Sequence, residues 1–401
     1  MWRDTGQKTV ALIKTIKIND IFMNVFITKA AKFLPNDPVS NDEMEGFLGM
    51  VDGKPSKARR IILRRNGIQQ RYYALDKDGN VTHTNAQMAA LAVRGLLDDH
   101  LTIDDIDLLS CGTTSTEQLL PSHGVMVHGE LGGNNNTEVV SFAGSCCTGM
   151  DALKYACMAV ELGWKKNAVA AASERLSPWM RASYFQKESE QLAQLESQPM
   201  LAFEKEFLRW MLSDGAFSLL LQPQPNERGL SLQVDWIEIT SFANTKETCM
   251  YAGAEKDASG RLVGWTSFEA QEWLSRSLFA LKQDTRMLAE NIVKLGIDFL
   301  LQTAEKHHFT PDDIDWFLPH LSSMFFKDRI LNDSRERGFY IPEDKWFVNL
   351  PRVGNIGSAS AFAMIEELMY SGRLKKGEKI LLMIPESARF SYCYCMLTVT
   401  E

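Results

Sequence analysis

No apolar run in this 401-residue chain approaches the roughly 18 residues that a membrane-spanning helix requires. Positive charge is also in deficit. Lys and Arg number 43 against 51 Asp and Glu, a formal net charge of −8, so no general affinity for nucleic acid is implied. The seven cysteines are odd in number and their spacing forms no disulfide framework, which fits a reducing cytoplasm. Cys393 and Cys395 share one face of a strand-like run, but no second Cys or His pair stands nearby to complete a tetrahedral zinc site. They read as sheet core, and no metal is expected. Residues 1–22 lack the marks of a signal peptide. Lys8, Lys14 and Lys17 punctuate a short Val10-Ala11-Leu12-Ile13 run, and no small-residue cleavage site follows. They read as an N-terminal extension, with Met23-Asn24-Val25-Phe26-Ile27 as the first strand.

What is present is ordinary globular protein, 45% apolar and 23% charged, long enough for two or three domains or two fused halves. Its most informative stretch is Gly144-Ser145-Cys146-Cys147-Thr148-Gly149-Met150. An apolar strand-like run (Val139, Val140, Phe142) precedes it, and a helical pattern (Ala152, Leu153, Ala156, Ala159, Val160) follows. A cysteine at a strand-to-helix turn lies near unpaired N–H groups and the positive end of the helix dipole, which lowers a thiol pKa. A nucleophilic cysteine belongs in such a place. The competing reading is a small buried hydrophobe.

The chain also repeats itself. Thr102-Ile103-Asp104-Asp105-Ile106-Asp107-Leu108-Leu109 returns 208 positions later as Thr310-Pro311-Asp312-Asp313-Ile314-Asp315-Trp316-Phe317. Each copy follows a helical pattern, over 85–100 and 286–308, and leads into a strand. The segment from Gly144 through Lys166 has its counterpart 210 positions on, from Gly354 through Lys376. In both, a glycine-rich turn opens an apolar helix, a glycine ends it, and a basic pair leads into a strand. A period this long is no solenoid. It describes two similar α/β halves with mainly parallel sheets covered by helices, and chemistry at the carboxyl ends of strands. Cys147, Asn355 in the equivalent second turn, and His320 just after the strand Trp316-Phe317-Leu318 are then ends that can converge.

These residues resemble the thiolase superfamily, and within it the β-ketoacyl-acyl-carrier-protein synthase III type. The family's A-C-x-G-F turn looks like Cys146-Cys147-Thr148-Gly149-Met150, with Cys147 in the nucleophile's place. Its H-Q-A-N-x-R-I block is similar to His320-Leu321-Ser322-Ser323-Met324-Phe325, of which only the histidine is intact. Its G-N-T-S-A-A-S block resembles Gly354-Asn355-Ile356-Gly357-Ser358-Ala359-Ser360. Leu34-Pro35-Asn36-Asp37, Asn66-Gly67-Ile68, Pro121-Ser122 and Ser213-Asp214-Gly215-Ala216 fall in the family's order. The resemblance spans about residues 23–400. It implies a thiolase-like α/β fold of two pseudo-repeated βαβαβαββ halves, layered α-β-α-β-α, over 23–225 and 226–401. It implies an acyltransferase that condenses an acyl group held on Cys147 with a malonyl- or 3-oxoacyl-type thioester, in lipid or secondary-metabolite biosynthesis, with cyclisation a further possibility. His320 and Asn355 would donate hydrogen bonds to the enolate oxygen. No cofactor is implied, because coenzyme A or carrier-protein phosphopantetheine delivers the acyl group. A homodimer is implied too, with Leu120 at the position that reaches the partner's pocket.

The chain departs from the family in three places. Ile384-Pro385-Glu386-Ser387-Ala388-Arg389-Phe390 replaces the family's glycine-rich loop. Glu386 there is either a surface residue paired with Arg389 or an added acid or base near Cys147. Lys54-Pro55-Ser56-Lys57-Ala58-Arg59-Arg60 with Arg64-Arg65 is either a solvated basic face or a dock for an acidic carrier or coenzyme A phosphates, through Arg59 and Arg60. Residues 175–212 read as a cap insertion rich in aromatics and methionine (Trp179, Met180, Tyr184, Phe185, Met200, Phe203, Phe207, Trp210, Met211). These side chains are either ordinary packing or the lining of an acyl tunnel. Arg389 is a further candidate substrate-binding residue. Two other functions stay open: a cysteine acyltransferase to an alcohol or amine without carbon–carbon bond formation, and a non-catalytic partner subunit.

Overall fold

The computed structural model describes residues 23–57, 59–185 and 208–401. Nine strands build the principal sheet: β1 (Phe26–Phe33), β2 (Leu108–Thr113), β3 (Glu138–Ala143), β4 (Ala168–Glu174), β5 (Gly215–Gln222), β6 (Ser231–Ser241), β7 (Trp316–Pro319), β8 (Lys379–Glu386) and β9 (Ser391–Thr400). Six helices cover it: α1 (Asn85–Arg94), α2 (His123–Leu131), α3 (Thr148–Glu161), α4 (Thr285–His307), α5 (Lys327–Glu336) and α6 (Ser360–Met369). The strand order is β7-β8-β9-β6-β1-β5-β4-β2-β3. It divides at β1 and β6, which pair only through Phe26–Gln233 and Ile27–Leu232.

The two sides of that division match. In the first half β2 pairs parallel with β3 and β4, and antiparallel pairing continues from β4 to β5 and from β5 to β1. In the second, β7 pairs parallel with β8, and antiparallel pairing continues through β9 to β6. A parallel bridge from Phe317 to Trp346 stands where β3 stands in the first half. The repeated acidic motif does the same work twice. Thr102 and Thr310 each open a short 3-10 turn, with the Asp105 and Asp313 carboxylates accepting from the Thr backbone N–H and hydroxyl. Asp107 then accepts from the Lys166 and Asn167 N–H groups, and Asp315 from that of Lys379, holding the start of the next strand.

Apolar alternation explains the layers. In β4, Ala168, Ala170 and Ala172 face the central helices, while Val169 and Ala171 face α1 and α2. In β8, Ile380, Leu382 and Ile384 face the same central layer, while Leu381 and Met383 face α4 and α5. Both faces of these strands are covered, so they read as nearly continuous apolar runs. The result is the expected α-β-α-β-α stack, with α3 and α6 between the sheet halves. Cys393 and Cys395 lie in the central layer. Two boundaries differ from expectation. The first strand begins at Phe26, not Met23, and runs eight residues. The helix expected over 85–100 stops at Arg94, and the chain beyond it turns where the Asp98 carboxylate accepts from His100 and Leu101 N–H. Among the described residues, no helix is long and apolar enough to cross a membrane.

Candidate active site

The two glycine-rich turns meet where α3 and α6 begin. A Cβ at Gly149 would lie 2.3 Å from the Ser358 carbonyl oxygen, so only glycine lets the first-half helix approach the second-half turn. Gly149→Ala is expected to cost about 1–3 kcal/mol, read as a lower urea midpoint, and to impair activity by parting the turns. Glu174, fully buried at the end of β4, fastens the same junction. Its carboxylate accepts from the N–H and hydroxyl of Ser358 in one half and from Thr114 N–H, Ser115 N–H and Ser115 hydroxyl in the other. Glu174 was not legible in the sequence, since its partners lie 59 to 184 positions away.

Cys147 is the residue from which α3 starts. It is 2% exposed, and its thiol donates to the Ile384 carbonyl oxygen at 3.3 Å. Its sequence position predicts a lowered thiol pKa. The structure shows the reverse: burial pushes the thiol well above its ordinary value, and the Glu386 carboxylate pushes the same way. Cys146 beside it is pushed up to about 12, again by burial and then by Glu386.

His320 follows β7 directly, and its N–H donates to the Met383 carbonyl, which ties it to β8. The ring is buried, and Nε2 has no hydrogen-bond partner. Burial holds its pKa down to about 4, so the imidazole is neutral at pH 7. A buried, unpartnered ring nitrogen is costly unless something uses it. Asn355 is pinned on both sides by backbone bonds, its N–H to Met211 and its carbonyl from Ser213. Its Oδ1 accepts from Gly357 N–H at 3.0 Å, which fixes the amide and leaves its NH2 end as a donor.

A cavity of about 30 Å³ opens beside His320. Its wall includes Cys146, Leu288 and Ile292 of α4, Ile330 of α5, Phe326, and Met383, Pro385 and Ser387 from the end of β8. Cys146 is in that wall, whereas Cys147 is turned onto Ile384. None of the described cap residues lines it. Met180, Trp210 and Met211 are instead buried in the outer core beside α4, and Met200, Phe203 and Phe207 lie outside the described residues.

The remaining candidates are scattered. Glu386 ends β8, and burial pushes its carboxyl up to about 7 against a hydrogen bond from the Arg389 N–H. The side-chain pairing of Glu386 with Arg389 is not made, because the Arg389 guanidinium donates to the Lys246 carbonyl. Arg59 is held by Glu45 and Asp42, while Arg60, Arg64 and Arg65 on the helix Arg59–Asn66 are exposed. Leu120 is 86% exposed, next to an exposed Leu119, and is not part of the cavity wall. No grouping of three His, Cys, Asp or Glu side chains among the described residues has the geometry of a metal site.

Comparison with known proteins agrees with this fold. The model of the 3-oxoacyl-[acyl-carrier-protein] synthase III C-terminal region matches residues 304–384, which take in His320 and Asn355. A curated β-ketoacyl-[acyl-carrier-protein] synthase III from Chlorobaculum tepidum is 23% identical over 362 residues, covering 90% of this chain and 95% of that protein. A crystal structure of Xanthomonas campestris OleA with bound lauric acid and lauroyl-CoA superposes with a TM-score of 0.71 at 20% identity, over 94% of this chain and 99% of that one. AbyA1, a tetronic acid condensing enzyme, superposes with a TM-score of 0.69 at 18% identity, over 93% of this chain and 99% of that one.

Proposed function

We propose that this chain, a divergent ketosynthase III-like protein of the thiolase superfamily, joins two acyl thioesters by Claisen condensation in lipid or secondary-metabolite biosynthesis. The observation that carries the reading is the contact of the two glycine-rich turns, Gly149 against Ser358, with Cys147 at the head of α3, Asn355 in the second turn with its amide oriented by Gly357, and His320 after β7 with an unpartnered Nε2. The acyl group moves from its carrier thiol to Cys147, and the new thioester stays reactive. The second thioester becomes a carbon nucleophile and places negative charge on its carbonyl oxygen. His320, neutral and buried, and the Asn355 NH2 each donate to that oxygen in a site where water does not compete. The carbon then attacks the acyl group on Cys147, and a 3-oxoacyl product leaves.

Incubation with pairs of acyl-CoA or acyl-carrier thioesters, followed by mass spectrometry of the products, tests this. A carbon–carbon-joined 3-oxoacyl thioester, or a product cyclised from it, is expected. Transfer of the acyl group to an added alcohol or amine, with no joined product, would establish the simpler acyltransferase instead.

The carrier is proposed to be coenzyme A or an acyl carrier protein meeting the exposed Arg60, Arg64 and Arg65 face, since Arg59 is already held by Glu45 and Asp42. Charge reversal at Arg60 and Arg64 should raise KM for a carrier-protein substrate several-fold and flatten its salt dependence. An unchanged KM dismisses that surface. Exposed Leu119 and Leu120 support a homodimer, which light scattering of the purified protein checks.

A further inference from the structure

Building on the condensing reading, we propose that the Glu386 carboxylate removes the α-proton of the second thioester, and that this substrate is an uncharged acyl or 3-oxoacyl thioester and not a malonyl-type one.

The placement follows from the pleat of β8. The Ile384 carbonyl oxygen receives the Cys147 thiol, and Glu386 lies two residues further on the same face of the strand. Across the pair, Cys393 stands opposite Ile384 and Ser391 opposite Glu386. Ile384 and Cys393 lie with Cys147 in the central layer, so Glu386 is set at the rim of that layer beside the first turn of α3. Its charge is felt by Cys146 and Cys147, and Asp151 of the same turn acts on Glu386 in return. Among the described residues no cation pairs with it, because Arg389 is committed to Lys246.

Two consequences follow. A carboxyl held near 7 by burial is matched to proton abstraction at neutral pH. The same unneutralised charge, with Asp151 behind it, opposes binding a second carboxylate such as that of a malonyl group. In the step, Glu386 takes the α-proton and the electron pair moves onto the thioester oxygen, held by His320 and Asn355. The enolate carbon attacks the acyl carbonyl carbon on Cys147. The carbon–carbon bond forms, the carbon–sulfur bond breaks, and the departing thiolate recovers the proton from Glu386. No carbon dioxide is released.

The test uses the whole chain with octanoyl-CoA, acetoacetyl-CoA and malonyl-CoA as probes. Wild-type protein should form a joined product from the uncharged thioesters without carbon dioxide, and kcat/KM should rise with pH and level off near 7. Glu386→Gln should lose at least about 100-fold in condensation, and lose that pH break, while still accumulating acyl-Cys147. Glu386→Asp should restore part of the rate. Wild-type condensation by Glu386→Gln, or carbon dioxide released from malonyl-CoA in step with product, would overturn the role of Glu386 and leave the condensing reading standing. A wild-type protein that never becomes acylated overturns the condensing reading itself.

Discussion

Cys147→Ala is expected to abolish condensation, with a loss on the order of 10⁴-fold or more, and Cys146→Ala to stay within about tenfold of wild type. The asymmetry is the important part. Cys147 is the residue at the head of α3, fixed against Ile384, at the junction where both glycine-rich turns meet. Cys146 faces the cavity beside His320 but opens no helix. Both thiols are pushed up by burial and by Glu386, so neither is a standing thiolate, and position decides between them. Product formation by each variant under saturating thioester measures the difference. A large loss in Cys146→Ala with Cys147→Ala active would reverse the assignment.

His320→Ala and Asn355→Ala should each lower kcat by about 10²–10³-fold. In the proposed mechanism both donors act on charge that develops only as the carbon nucleophile forms, so kcat and kcat/KM should fall together. The double variant should lose less than the product of the single losses, because the two donors hold one oxygen. The imidazole is already neutral, its pKa held at about 4 by burial, so the ring should add no break of its own near neutral pH, and the break near 7 assigned to Glu386 should persist in His320→Ala. A break there that vanishes in His320→Ala would mean that the ring titrates, contrary to its burial.

Much of the frame around this candidate site is legible in the sequence because its parts are local. The turn from Gly144 to Met150, the equivalent turn from Gly354 and the doubled acidic motif each carry their own structural signal. The constant offset between copies says which ends correspond. Thr102 and Thr310 behave as the repeat requires, down to the same capping bonds. What the sequence hides is set by distant contacts. Glu386 and Arg389 are spaced to suggest a pair, yet the Lys246 carbonyl from another element takes the guanidinium. The cavity wall draws on α4, α5 and the end of β8, and none of the described cap residues lines it, because Met180, Trp210 and Met211 are consumed by the outer core. A helix start predicts an acidified thiol, but burial depends on the whole central layer and outweighs it.

Intact-mass spectrometry after incubation with acyl thioesters tests the central claim most directly. Wild type and Cys146→Ser should gain the mass of one acyl group, and Cys147→Ser should gain none. Acylation retained in Cys147→Ser and lost in Cys146→Ser would contradict the assignment of the nucleophile, and no acylation of wild type by any thioester would contradict the condensing function.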